Sequence, residues 1–370
     1  MRFTIYLFLA VIMLLFSQKC NSANQIRIMF YNVENFFDCD NDSLKLDEEF
    51  LPGGIRGWTP SRFWKKAGNI SRVLAVAGKN GFPEIVGMAE VENDKCLNRL
   101  VKSSPLKNAG YSFIHYESPD IRGIDVCMLY NPYVFTPLQS EPIQIIFSEE
   151  PQRKTRDILY VCGKVYSADT LHIYICHFPS RLGGELETDD KRQQVAGFLR
   201  THIDSVLNIA PNANIVIMGD FNDTPLSPSI KDVIGAVSPE ESILKKAFLQ
   251  KEITETSVTI PPKETIFTKV VSPITTTPSK LYNMMLPKID ETDTGTHKNQ
   301  SEWALLDHII ISENLLDKAS EATIFKPDFL LTSDQRWLGI KPFRTYHGMK
   351  YQGGYSDHLP VFIDLNFISR

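Results

Sequence analysis

Short apolar runs that stop at an acid, an amide or an imidazole recur along this chain. Ile215-Val216-Ile217-Met218 is the most compact of them, rich in β-branched residues and too short for a helix, and it predicts a buried strand. Gly219 then lets the backbone approach a neighbour closely, Asp220 and Asn222 follow, and Thr224-Pro225 stops the strand. A carboxylate and a carboxamide thus reach the rim of a buried sheet. Where helices cover the faces of a sheet, that rim is where ligand sites form. An ordinary Asx turn after a strand looks the same, so the other strand ends decide.

Residues 26–31 predict a first strand, with Asn32-Val33-Glu34-Asn35 at its end. After a polar, acidic loop over 38–57, Thr59-Pro60 reads as a helix N-cap with proline at the first helical position. Phe63, Ala67, Ile70, Leu74 and Ala77 form one apolar helical face, closed by Gly78 and Gly81. A second strand over 84–89 ends at Glu90, and Asp94 is the expected cap of a second helix carrying Leu97, Leu100 and Val101. A third strand is expected over 124–130, and a hairpin over 158–166 and 171–176 delivers His177-Phe178-Pro179-Ser180-Arg181. Thr188 is the expected cap of a third helix, which turns Val195, Leu199, Ile203 and Val206 inward. Residues 226–300, rich in Ser, Thr, Pro and Lys, read as long surface loops. The last strands fall over 303–311, which contains Asp307-His308, and over 360–367, which follows Ser356-Asp357-His358. Helices interleaved with hairpin-joined strands predict an α/β chain of mixed sheets with helices outside.

Composition adds little to that picture except at the N-terminus. The chain has 370 residues, 43% hydrophobic and 22% charged, enough to bury a sizeable core. Arg2, an apolar run over 5–16 and Asn21-Ser22-Ala23 read as a secretory signal peptide, too short for a comfortable membrane span. The expected organisation is a signal over 1–23 and one domain over 24–370, exported, with no transmembrane segment after signal removal. Cys20 offers an alternative end, a lipid anchor on a mature N-terminal cysteine. Removing 1–23 takes away Arg2 and Lys19 and no acid, so the net charge of −5 becomes more negative. Such a chain is not built for broad electrostatic capture of nucleic acid, although a small basic site remains open to it. The cysteines left, Cys39, Cys96, Cys127, Cys162 and Cys176, are odd in number and show no C-x-x-C spacing. Cys127, Cys162 and Cys176 read as small buried hydrophobes, and no zinc site is expected.

Compared with one another, the strand ends carry chemistry. Asn32, Glu90, His177, Asp220, Asn222, Asp307 and His358 all fall at or next to a strand terminus. One such residue means little, but acids, amides and imidazoles together fit a single polar site assembled by loops. Carboxylates and amides are hard oxygen donors suited to Mg2+, Mn2+ or Ca2+. The histidines suit proton transfer or stabilisation of an anionic transition state. Asp357 stands directly before His358 and is a candidate to orient it. Asp220 is placed to orient or deprotonate a water for attack on phosphorus, which points to metal-assisted hydrolysis of a phosphate ester.

These pieces resemble the endonuclease/exonuclease/phosphatase superfamily, whose members include deoxyribonuclease I, abasic-site endonucleases, neutral sphingomyelinases and inositol-polyphosphate phosphatases. The matching stretches are Tyr31-Asn32-Val33-Glu34-Asn35, Met88-Ala89-Glu90-Val91-Glu92-Asn93 and Cys176-His177-Phe178-Pro179-Ser180-Arg181, then Gly219-Asp220-Phe221-Asn222, Leu306-Asp307-His308 and Ser356-Asp357-His358-Leu359-Pro360-Val361. They keep the family's order and span residues 26–367. The resemblance implies a deoxyribonuclease I-like, four-layer sandwich of two mixed β-sheets packed face to face with helices outside. It implies Glu90 as the main magnesium ligand with Asn32 nearby, Asp220 as the group that activates water, and Asn222 holding the phosphate. It places His177 and His358 against the phosphate, with Asp357 orienting His358 and Asp307 completing the metal and base network. Arg122, Asp125, Arg156 and Arg181 stand as candidate substrate contacts.

Plainer readings sit beside some of these. Asp125 lies inside an apolar run and reads equally as a satisfied core carboxylate, and His308 reads as structural. Arg56, Trp58, Arg62, Trp64, Lys65 and Lys66 mix cations and aromatics as single-strand binders do, yet Phe63 and Trp64 at helical spacing place part of that cluster in the core. The sequence therefore predicts an exported, divalent-metal-dependent phosphodiesterase, an endonuclease with nucleic acid as substrate and no stable protein partner implied. A phospholipid phosphodiesterase or a small phosphate-ester phosphatase keeps the same chemistry, and a catalytically silent binding protein keeps only the fold. No long apolar hairpin or basic amphipathic helix suggests docking on lipid, which favours nucleic acid.

Overall fold

The structure is a computed structural model describing residues 24–79, 81–166, 168–241 and 280–367. The expected signal peptide and the Cys20 anchor lie outside these residues. The strands of the two large sheets are β1 (Asn24–Phe36), β2 (Ile85–Val91), β3 (Ser112–His115), β4 (Asp125–Tyr130), β5 (Phe135–Ile143), β6 (Ile158–Val165) and β7 (Asp169–His177). They continue with β8 (Asn214–Asp220), β9 (Ala236–Val237), β10 (Leu281–Asn283), β11 (Asp307–Ser312), β12 (Thr323–Ile324) and β13 (Val361–Phe367). Three helices matter for packing: α1 (Pro60–Ala77), α2 (Asp94–Ser103) and α3 (Glu185–Ile209). No described helix is long and apolar enough to cross a membrane.

One sheet runs β12-β13-β1-β2-β4-β3 and the other β5-β6-β7-β8-β11-β10-β9. Each has a parallel pair at its centre, β1 with β2 and β7 with β8, flanked by antiparallel neighbours. The mixed sheets expected from the sequence are therefore present, and they pack face to face. Val216 and Met218 of β8 join the core between the sheets, whereas Ile215 and Ile217 pack outward with Val195, Leu199 and Ile203 of α3. Such two-sided burial explains why the strand is apolar without alternation. Two glycines allow the close approaches. A Cβ on Gly87 of β2 would sit 3.0 Å from Met218 across the sheet interface, and one on Gly219 would lie 2.4 Å from the Cys176 carbonyl oxygen of β7.

Local signals decided most boundaries. Thr59 caps α1 by accepting from the Arg62 amide, and Pro60 begins the helix. Helix α2 is capped by Asn93, which accepts from the Cys96 amide, so Asp94 is the first helical residue and not the cap. Helix α3 starts three residues before the expected Thr188 cap, after Gly184. Thr188 instead donates to the Gly184 carbonyl and accepts from Arg192 inside the helix. Strand β5 was not legible because it carries Pro137 and Pro142; it sits at a sheet edge, where proline is tolerated.

Candidate active site

Strand parity brings the polar strand ends to one place. His177 continues the Ile173, Ile175 face of β7 and Asp220 the Val216, Met218 face of β8, so both point between the sheets. Asp307 shares the inward face of β11 with Ile309 and Ile311. His308 takes the outer face, fully buried against Phe221, with Nε2 2.9 Å from the Asp223 carbonyl oxygen, a structural position as expected. On β2 the inward positions are Gly87 and Ala89, which leaves Glu90 out of phase. A register shift between Ala89 and Val91, with φ +64° at Glu90, turns its carboxylate back to the site. Positive φ on a glutamate is uncommon and costly, the sort of strain that collects at functional sites.

Asp220 is the centre of the cluster and is almost fully buried. Its Oδ2 accepts from Asn32 Nδ2 at 3.0 Å and lies 3.6 Å from His358 Nε2 and 3.7 Å from His177 Nε2. Oδ1 accepts from the Asn222 amide at 2.9 Å. Asn32 Nδ2 also donates to Glu90 Oε1 at 3.1 Å, and Glu90 Oε2 accepts from the Asn35 amide at 2.9 Å. Asn32 presents its NH2 to both carboxylates while its oxygen accepts from the Glu34 amide, so it spaces Glu90 from Asp220 without offering them an oxygen. Asn222, at φ +51°, donates Nδ2 to the Phe178 carbonyl.

The electrostatics follow from burial. Burial, with Asp307 nearby and only partly opposed by His358, pushes Asp220 up to about 7. Burial alone would pull His358 down, but Asp307 and Asp220 hold it well above the ordinary histidine range. These carboxylates favour the imidazolium form of His358, whose Nδ1 lies 2.7 Å from Asp307 Oδ2. His177 goes the other way: burial and the charges of Arg156, Arg122 and His358 keep it neutral. Its Nδ1 has no partner among the described residues, and neither does Asp307 Oδ1. Buried polar atoms left open in this way are rare in a folded interior and mark places for a ligand.

One expectation about orientation is corrected, and one about substrate contact. Asp357 does not hold His358; its carboxylate pairs with Arg344, and the orienting acid is Asp307, which β11 brings alongside. Burial pushes Asp357 up, but His358, Arg344 and His297 outweigh it and keep the group ionised well below the usual carboxylate range. Arg156 is buried and spent on structure, donating to Asp120 and to the carbonyls of His177 and Phe178. Asp125 is likewise engaged, accepting from the Ser118 amide and lying 3.2 Å from His115 Nε2, which fits the core-carboxylate reading. Arg181 donates Nε to the Asn222 carbonyl and steadies the loop that carries Asn222. Arg122 pairs with Asp120 but is half exposed, so it alone of this group reaches solvent freely.

Three neighbours, Arg344, His297 and Thr296, carried no sequence signal. Arg344, whose Nε is also without a partner among the described residues, sits in an unremarked loop. His297 bridges to His358 with ring centroids 4.9 Å apart and is held near pKa 4 by burial and by that imidazolium. Thr296 receives the Asp307 amide through its hydroxyl. Glu34 accepts from the Thr345 and Tyr346 amides and buries its charge close to Lys66. Of the cation and aromatic cluster, Trp58 and Lys66 are buried, Lys66 donating to Thr345 and the Tyr355 carbonyl. Arg56 and Arg62 stack on Tyr346 and Tyr351.

The donor set suits a hard divalent cation. Glu90, Asp220 and Asp307 converge with His358 as the charged counterpart, His177 being neutral, and Asp307 keeps an open oxygen. A carboxylate oxygen of Asp220, one of Asp307 and a ring nitrogen of His358 lie within 4.8 Å of one another. Carboxylate oxygens so grouped in a buried place call for added positive charge.

Comparison with known proteins bears on the family and the fold. The family model described as Endonuclease/Exonuclease/phosphatase family matches residues 27–256 and 257–367. An endonuclease/exonuclease/phosphatase family protein of Bacteroides thetaiotaomicron is 13% identical, with 93% of this chain and 98% of that chain covered and a TM-score of 0.51. A mannosyl-6-phosphatase of B. thetaiotaomicron VPI-5482 is 13% identical over 92% of this chain and 100% of its own, also at 0.51. The human Nocturnin catalytic domain, solved with a bound sulfate anion, is 16% identical over 93% and 94%, at 0.50. At these identities the likeness establishes the fold. No curated protein matches the chain. Matched by the family model over almost its whole described length, the chain belongs to the endonuclease/exonuclease/phosphatase family, a superfamily of metal-dependent phosphoester hydrolases.

Proposed function

We propose that the protein is an exported, divalent-metal-dependent phosphodiesterase that cleaves nucleic-acid strands by attack of water on phosphorus. The observation that carries this reading is the position of Asp220, between the neutral imidazole of His177 and the imidazolium of His358. A carboxylate pushed up to about 7 is matched to taking a proton from water near neutral pH. His358, charged and locked by Asp307, stabilises negative charge developing on the phosphoryl oxygens. Neutral His177 and the Asn222 side chain, whose Nδ2 keeps a second hydrogen beside the one given to the Phe178 carbonyl, contact the same phosphate. Glu90 and Asp307 are the carboxylates that hold the cation, Mg2+ in the first instance. Bound there, the cation neutralises phosphate charge and acidifies water. Export, by signal cleavage or through a lipid on Cys20, rests on the N-terminal sequence alone.

Arg344 supports a second reading. A guanidinium with an open, buried Nε beside Asp357 and close to Glu90 suits the extra charge of a phosphate monoester, such as a phosphorylated sugar. One assay separates the readings. The mature protein with Mg2+ is offered plasmid DNA, RNA, sphingomyelin, a phosphorylated monosaccharide and a bis-aryl phosphodiester. Cleavage of DNA or RNA ahead of the others supports the nuclease. Preference for the monoester overturns it in favour of a phosphatase, and no hydrolysis with any cation leaves only a binding protein.

A further inference from the structure

A cavity of about 460 Å³, lined by residues that follow His177 in the chain, has no place in the mechanism above. Its wall is continuous with the site. Pro179 and Ser180, which line it, follow His177 in the chain, and buried Arg156 ties the His177 carbonyl to that wall at 3.2 Å. The volume lies within the ~300–1,000 Å³ usual for ligand sites. Its lining is basic in an acidic protein: Arg122, Arg153, Lys154 and Arg156 face it, with Asp120 as the one carboxylate among the described residues. Asp120 is shared by two guanidiniums, 3.0 Å from Arg156 and 3.2 Å from Arg122, which leaves that side cationic. Arg153 meets only a half-exposed Glu150 at 3.3 Å among the described residues, and Lys154 is exposed. Apolar side chains share the lining. Phe147 is buried in its wall, while Ile121 and Leu182 stand at the rim 53% and 89% exposed, unusual for side chains of that size.

We infer that this cavity is a subsite for the nucleotide next to the scissile phosphate, with Arg122, Arg153 and Lys154 receiving its far phosphate and Leu182 and Ile121 receiving its sugar and base. The inference rests on the phosphodiesterase reading of the adjoining site and adds to it a substrate feature, a second phosphate at fixed distance from the first. A cationic lining with exposed apolar side chains beside it matches a nucleotide, which is anionic at one end and has a flat apolar face at the other. A short aryl phosphodiester or a phosphorylated monosaccharide does not fill it.

The test uses TpT, pTpT and TpTp as probes, with wild type and the double variant Arg153→Glu/Lys154→Glu. Both residues are exposed, so the fold is expected to hold, checked by an unchanged melting temperature. The subsite predicts that one of the two phosphorylated dinucleotides has a lower KM than TpT in the wild type. The double variant raises that KM about tenfold or more and leaves kcat and the KM for TpT unchanged. Leu182→Asp raises KM for all three. Equal KM values for the three dinucleotides in the wild type, or equal changes on all three in the double variant, overturn the subsite while the hydrolysis itself stands. If the wild type cleaves none of them, calorimetry in chelator decides. Tighter binding of a phosphorylated dinucleotide than of TpT, abolished in the double variant, keeps the subsite and removes the phosphodiesterase reading; equal binding removes both.

Discussion

His358 Nδ1 lies 2.7 Å from Asp307 Oδ2, although its neighbour in the chain, Asp357, is turned to Arg344. The partner that matters comes from a strand more than fifty residues away because β11 and the loop before β13 meet at the same rim. Breaking a buried ion pair from one side leaves an uncompensated charge, at about 3–5 kcal/mol. Asp307→Asn is expected to lower kcat roughly a hundredfold and to drop the His358 pKa, read from its imidazole proton shifts in an NMR titration. Asp357→Asn is expected to cost about tenfold at most. A larger loss in Asp357→Asn than in Asp307→Asn returns the orienting role to Asp357.

Asp220 acts only when ionised, so its elevated pKa sets the sign of the pH response. With cation limiting, kcat/KM is expected to rise with pH through about 7 and then level off. Added cation stabilises the carboxylate and moves that limb to lower pH. An acid limb near the ordinary aspartate value at limiting cation, unmoved by further addition, contradicts the placement of Asp220.

Much of this site was legible because a strand repeats every second residue. The runs before His177 and Asp220 and after Asp307 fix which face each side chain takes, and the apolar residues themselves give the period. Glu90 was legible as a strand end but not as a site residue by parity, since only the register shift at positive φ turns it inward. Asp357 misled because adjacency along a chain says nothing about direction: Asp357 and His358 point to different partners. Arg344 and Thr296 gave no signal because they lie in irregular backbone, and His297 gave none because it opens a three-residue strand, His297–Asn299, with no apolar run to mark it. Proline on β5 hid a whole strand, because a sequence does not say which strand is an edge.

Gly219 was read from sequence as a point of close approach, and its role is steric. Gly219→Ala puts a Cβ 2.4 Å from the Cys176 carbonyl oxygen, so β7 and β8 must part next to His177 and Asp220. The expected cost is about 1–3 kcal/mol in urea unfolding, with kcat reduced in the folded fraction. Wild-type stability and activity in this variant contradict the packing described.

Glu90 is held by Asn32 and the Asn35 amide in a geometry the chain strains to produce. If that strain serves the cation, Glu90→Gln raises the Mg2+ concentration needed for half-maximal activity by about tenfold or more, with less effect at saturating metal. An unchanged metal titration removes Glu90 from the metal site.

The central claim is that Asp220 prepares water for attack on a phosphoester held with a divalent cation. Its most direct test is hydrolysis of a bis-aryl phosphodiester by wild type and Asp220→Asn, with Mg2+ and with chelator. The account predicts activity in the wild type only with the cation, and a loss of at least about a hundredfold in a folded Asp220→Asn. Near-normal turnover by Asp220→Asn, or undiminished turnover in chelator, contradicts it.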